Sequence, residues 1–148
     1  MKQSFQEKSE PPQISPYQSH SVARTVPWFY ALWKFSRPHT IVGTSLSVMG
    51  LYLIAIASSS SHNQWGQPLG TWLACLCGNL YIVGLNQLED IEIDQINKPH
   101  LPLAAGEFTQ TQGQFIVGIT GILALVLAGL LGPFLFGMVG ISLAIGTA

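Results

Sequence analysis

Asn86, Asp90 and Asp94 recur at a spacing of four, in the run Asn86-Gln87-Leu88-Glu89-Asp90-Ile91-Glu92-Ile93-Asp94-Gln95-Ile96-Asn97-Lys98-Pro99. On a helix advancing roughly 100° per residue, Asn86, Asp90, Asp94 and Asn97 share one narrow face. This placement assumes a single helix that continues to Asn97, where Pro99 disfavours helix for the residue before it. Glu89 and Glu92 then fall off the face. Two carboxylates stacked one turn apart repel each other unless a cation joins them. Mg²⁺ suits such a pair, because it takes one or two carboxylates and completes its shell with water and phosphate oxygens. The amides of Asn86 and Asn97 can donate to phosphate or orient a carboxylate. Lys98 adds a cation for the same anion. The chemistry expected is therefore Mg²⁺ held by Asp90 and Asp94 beside an anionic diphosphate. The plainer alternative is a solvated acidic loop between two helices.

The elements that position this face are membrane helices. The chain has 148 residues with six Lys and Arg and seven Asp and Glu. All of these charges lie in residues 1–37 and 89–107. The blocks 38–88 and 108–148 carry none, and a soluble domain of this size spreads about a quarter charged residues over its surface. The bilayer is the natural solvent for such blocks. The fold expected is all-α, a polytopic transmembrane helix bundle. Spans are expected near 40–57, 70–88, 114–131 and 134–148. The fourth block has no polar flank, so the chain reads as part of a longer protein that stops within its fourth membrane helix.

Residues 1–26 are rich in Ser, Gln and Pro and read as a disordered tail. They lack the apolar stretch of a secretory signal. Trp28, Phe29, Tyr30, Trp33 and Phe35 alternate with Lys34 and Arg37, a mixture that belongs at a membrane–water boundary. Five Lys and Arg precede the first span, none lies in 58–68, and Lys98 follows the second. The positive-inside rule then places the N-terminus and the 89–113 loop in the cytoplasm. With a net charge of −1 and no basic stripe, no nucleic-acid partner is expected. Cys75 and Cys77 point to different helix faces and read as packing. The pairs Gly118/Gly121, Gly129/Gly132 and Gly137/Gly140 read as sites of close helix approach. Trp72 and Tyr81 read as bundle packing, His39 as an interfacial residue with a hydrogen bond, with an acid/base role as the alternative, His100 as solvent-exposed, and His20 and His62 as loop residues with no partner in view.

The motif N-x-x-x-D-x-x-x-D at the end of a second membrane helix resembles the first aspartate-rich motif of the UbiA-type membrane prenyltransferases. Leu101-Pro102-Leu103-Ala104-Ala105-Gly106-Glu107, Trp33-Lys34-Phe35-Ser36-Arg37-Pro38-His39-Thr40 and Gly78-Asn79-Leu80-Tyr81-Ile82-Val83-Gly84-Leu85 resemble the branch of that family acting on homogentisate. The branches acting on chlorophyllide and 4-hydroxybenzoate usually open the motif with Asn-Asp, whereas this chain has Asn86-Gln87. The resemblance implies nine transmembrane helices and a second aspartate-rich motif that these residues do not contain. It implies Mg²⁺ at Asp90 and Asp94 as the catalytic centre. It further implies substrate contacts from Asn86, Asn97, Lys98 and Arg37. The implied substrates are a prenyl diphosphate, phytyl foremost, and homogentisate. The implied reaction is decarboxylating prenyl transfer in tocopherol synthesis, in a membrane of a photosynthetic cell. Half of a two-motif clamp is not expected to act alone. The alternatives are geranylgeranyl or solanesyl transfer to the same acceptor or, in a different class, a cation-binding membrane or transport subunit.

Overall fold

The computed structural model describes residues 27–58 and 66–148. The expected tail and most of the expected 58–68 turn, His20 and His62 among them, lie outside the described residues. Every element among the described residues is a helix: α1 (Trp28–Phe35), α2 (Pro38–Ser58), α3 (Gly66–Glu89), α4 (Ile91–Asn97), α5 (Gln110–Leu131) and α6 (Pro133–Ile145). Three of them, α2, α3 and α5, are long and apolar enough to cross a membrane. At 1.5 Å per residue, α2 spans roughly 31 Å, about the thickness of the hydrocarbon core. The chain is a membrane helix bundle built on the α3–α5 pair, with α2 and α6 on its flanks. The fourth expected span is α6, only 13 residues long.

Small residues set how closely α3 and α5 approach. A Cβ on Gly84 of α3 would lie 2.6 Å from Val117 Cγ2 of α5 and 2.7 Å from Phe35 Cζ of α1. A Cβ on Gly121 would lie 2.6 Å from Tyr81 Cδ2. Lipid tails are as apolar as leucine, so close backbone approach supplies the dispersion that a hydrophobic effect cannot. The expected glycine pairs need correction here. Gly121 is a close approach, and Gly129 meets Phe136 at ordinary contact distance. Gly118, Gly137 and Gly140 have nothing within 4 Å, and Gly132 serves instead as a turn with φ 142° ahead of Pro133. Three-residue spacing shows that a glycine lies on a given stripe, but not which neighbour that stripe meets.

The buried core is divided. Ala74, Ala124, Ala128, Val139 and Leu143 join α3, α5 and α6 along the span. Ala31, Phe35, Leu103, Phe108 and Val117 close the end that carries the aspartates. Cys75 and Cys77 are free and half-buried within α3. Polar side chains in the spans satisfy themselves locally, as apolar surroundings require. Ser45 Oγ donates to Ile41 O at 2.7 Å and Thr120 Oγ1 to Ile116 O at 2.8 Å. Polar bonds tie α3 to α2, among them Trp72 Nε1 donating to Ser45 Oγ and Asn79 Nδ2 to Thr40 Oγ1, each at 2.9 Å.

Two helices start four residues ahead of their expected positions. α3 opens at Gly66 rather than Gly70, and α5 opens at Gln110 rather than Gln114. For α5 the cause is a capping box. Gln112 N donates to Thr109 Oγ1 at 3.2 Å, and Gln112 Oε1 accepts from Thr109 N at 2.9 Å. Polar residues that read as loop thus form the first turn of the helix.

Candidate active site

The aspartate segment leaves α3 through a kink. Asp90 has φ −97° and ψ 17°, outside helical values, and separates α3 from α4. The backbone bonds Asp90 N to Asn86 O (3.0 Å) and Asp94 N to Asp90 O (2.7 Å) keep the turn count through it. The single straight helix to Asn97 assumed above is therefore corrected to two helices with a bend at the first aspartate. α4 does end at Asn97, and Lys98 leaves the helix ahead of Pro99.

The bend separates the environments of the four residues on the expected shared face. Asp94 is 2% exposed, Asp90 is half-buried, and Asn86 and Asn97 are exposed. Asp94 Oδ1 accepts from Lys98 Nζ at 2.8 Å, an i,i+4 ion pair. Lys98 is thus tethered rather than a free arm. Asp94 Oδ2 is buried without a hydrogen-bond partner. No described residue bonds the side chains of Asp90, Asn86 or Asn97. Glu89 and Glu92, expected off the face, are exposed.

These donors fit a divalent cation. A buried carboxylate oxygen with no donor costs free energy, and a metal ligand is one way to recover it. Asp90, one turn before it, has both oxygens open. Among the described residues no group of three or more His, Cys, Asp or Glu could hold a metal. Two carboxylates plus substrate oxygens suit the sparse protein ligation that Mg²⁺ accepts.

Residues 98–109 fold back over this end. Leu101, Pro102 and Leu103 are buried, and Gly106 turns the chain at φ 70°. Glu107 N and Phe108 N then donate to Pro102 O at 2.8 and 3.2 Å. Across from them, α1 buries Ala31 and Phe35, four residues apart on one face, and exposes Trp28, Phe29, Tyr30 and Trp33. Arg37 joins α1 to α2 with φ 48°, a left-handed conformation that costs a non-glycine residue about 1–3 kcal/mol. Thr40 N and Oγ1 donate to its carbonyl at 2.8 and 2.9 Å. Arg37 as a residue is half-buried, and its side chain bonds no described residue. His39 and His100 are exposed.

Two residues escaped the reading of the sequence. Gln87 is 1% exposed and donates from Nε2 to Phe35 O at 2.8 Å and to Val83 O at 3.3 Å. Glu107 pairs with Lys34, its side chain almost wholly covered. Neither has a spacing signature for its contact with α1, because Phe35 and Lys34 lie more than fifty residues away.

Residues 46–148 match the model of the UbiA prenyltransferase family. The chain belongs to that family. Among its relatives, a homogentisate phytyltransferase of Synechocystis sp. is 56% identical over 122 residues, which are 80% of this chain and 40% of that protein. The chloroplastic homogentisate phytyltransferase 1 of Arabidopsis thaliana is 42% identical over 121 residues, 80% of this chain and 31% of the relative. The chloroplastic homogentisate solanesyltransferase of Arabidopsis thaliana is 41% identical over 109 residues, 71% of this chain and 28% of the relative. The chain thus spans at most about two fifths of the length of these relatives. No solved structure matches.

Proposed function

We propose that this chain supplies the first aspartate-rich half of a prenyltransferase that joins a prenyl group to homogentisate with loss of CO₂, in tocopherol synthesis. Phytyl is the favoured donor. The observation that carries this reading is Asp94, a buried carboxylate with one oxygen unpartnered, beside an open Asp90, in a chain of this family. Similarity to homogentisate prenyltransferases over 80% of the chain supports the acceptor.

Mg²⁺, when bound, neutralises the charge that grows on the departing pyrophosphate. Asp90 and Asp94 would hold it, Asp94 through the oxygen that Lys98 leaves free. Lys98 holds Asp94 in one orientation. Asn86 and Asn97, both exposed, would donate to diphosphate oxygens. Arg37, held in a strained backbone with its guanidinium unspent, would contact diphosphate or the acceptor carboxylate. In the reaction the prenyl C–O bond breaks with its electron pair on pyrophosphate. The electron-rich ring of homogentisate forms the new C–C bond and loses a ring proton. The side chain loses CO₂ and takes up a proton, leaving a methyl group.

The positive charges before α2 and at Lys98 support an orientation with this end in the cytoplasm or its organellar equivalent. The host would be a membrane of a photosynthetic cell. The similarity to a solanesyltransferase supports a longer donor as the second reading. A cation path is disfavoured, because it needs carboxylates at mid-span, and Asp90 and Asp94 both follow Glu89, the last residue of α3.

The test is transfer of a labelled prenyl group to homogentisate by the complete protein in vesicles, with Mg²⁺ varied. Asp90→Ala and Asp94→Ala should each lower turnover on the order of 10²–10³-fold, the scale of losing one electrostatic stabiliser of a transition state. Wild-type turnover in either variant would remove the assigned role.

A further inference from the structure

Both ends of the aspartate segment are fixed to one short stretch of α1, the adjacent residues Lys34 and Phe35. At its start, Gln87 Nε2 donates to the carbonyl of Phe35. At its finish, the adjacent residues Glu107 and Phe108 meet the adjacent residues Lys34 and Phe35. Lys34 Nζ pairs with Glu107 Oε1, and the rings of Phe35 and Phe108 stand edge to face at 5.9 Å. Lys34 also reaches the carbonyl of His100 at 3.5 Å and lies 5.2 Å from the Tyr30 ring centroid. Phe35 is fully buried, its ring against Gly84 of α3. Residues 88–106, which include Asp90, Asp94, Asn97 and Lys98, are thereby suspended between two anchors on one short helix.

We infer that Lys34 and Glu107 form a clasp that positions the aspartate segment for the metal–diphosphate complex. They are positioning residues: neither is placed to touch substrate. This rests on the functional reading above. The Glu107 side chain is 5% exposed, with Oε2 unpartnered, and Lys34 is 21% exposed. A pair this covered is a poor device for stability, since desolvation offsets most of the attraction. It is a good device for direction, because a buried carboxylate without its cation must move or take up a proton. The aromatic pair beside it supplies the apolar adhesion, leaving the ion pair to set register.

The experiment compares Lys34→Met, Glu107→Gln, Lys34→Arg and the reversed pair Lys34→Glu/Glu107→Lys in the complete protein in vesicles. Each is assayed for KM toward the prenyl diphosphate, Mg²⁺ concentration at half-maximal rate, kcat and thermal unfolding. Lys34→Met and Glu107→Gln should each raise KM and the Mg²⁺ requirement on the order of tenfold, a modest share of what a misplacement of about 1 Å costs. Their kcat should stay within about twofold of wild type at saturation. Lys34→Arg, which keeps the cation on Glu107, should restore both values, and the reversed pair should recover part of them. Unchanged KM and Mg²⁺ requirement in Lys34→Met and Glu107→Gln would overturn the inference, whatever happens to the unfolding temperature. A failure of Lys34→Arg to restore them in folded protein would overturn it too. Asp90→Ala and Asp94→Ala, assayed alongside, separate the two claims. If those variants are active, the site reading fails. If they are inactive while the Lys34 and Glu107 variants match wild type, only the clasp fails.

Discussion

The aspartate end of the molecule and helix α2 are held in opposite ways. At the aspartate end, polar contacts bridge sequence separations of 52 and 73 residues, through Gln87 to Phe35 and Lys34 to Glu107. Three buried acceptor atoms there, on Gln87, Asp94 and Glu107, have no partner. Helix α2 has no buried residue and exposes Val42, Leu46, Met49, Leu51, Leu53, Ile54 and Ile56. Side-chain bonds from Trp72 and Asn79 tie it to α3. In water such a surface would drive aggregation, but in lipid it costs nothing. The contrast shows where specificity is needed. A span can slide or rotate against lipid at little cost, whereas carboxylates that must meet a metal cannot.

Substitutions can break this contrast. The largest effect is expected at Gly84, where the two regions join. Gly84→Leu forces atoms into space already filled by Val117 and Phe35, and should cost about 3 kcal/mol or more. Unfolding in mixed detergent micelles would measure it, and stability near wild type would mean that α1 and α5 do not press on α3 as described. Gln87→Leu should cost roughly 1–3 kcal/mol, because it strips a donor from Phe35 O at the end of α1. The same titration reads it, and KM for the prenyl diphosphate should rise with it. Leu46→Ala, on the exposed face of α2, should change stability by less than about 0.5 kcal/mol. A larger loss would mean that this face packs on protein rather than lipid.

The two regions also differ in how far they could be read in the sequence. The confinement of charge to 1–37 and 89–107 was enough to expect long apolar helices between them, and α2, α3 and α5 are long and apolar enough to cross a membrane. Pro99 was enough to end α4, by excluding helix at Lys98. The Thr109–Gln112 capping box was legible and was passed over, which shifted the start of α5 by a turn. The kink at Asp90 was not legible. Nothing in Glu89-Asp90-Ile91 marks a break, and the contacts on either side of it, Gln87 to Phe35 and Lys34 to Glu107, join residues far apart in the chain.

What the sequence determined by itself is a membrane helix bundle with two aspartates one turn apart at the mouth of its second span, and a family resemblance carried by their flanks. Those are consequences of composition and short-range spacing, which survive any arrangement of the helices. Only the tertiary structure decided that Asp94 is buried and paired with Lys98 while Asp90 stays open. It alone brought Lys34 to Glu107 and Gln87 to Phe35, and turned Arg37 into a strained joint. Such contacts depend on how closely α3 and α5 approach at Gly84 and Gly121, a distance that no pattern along one chain encodes.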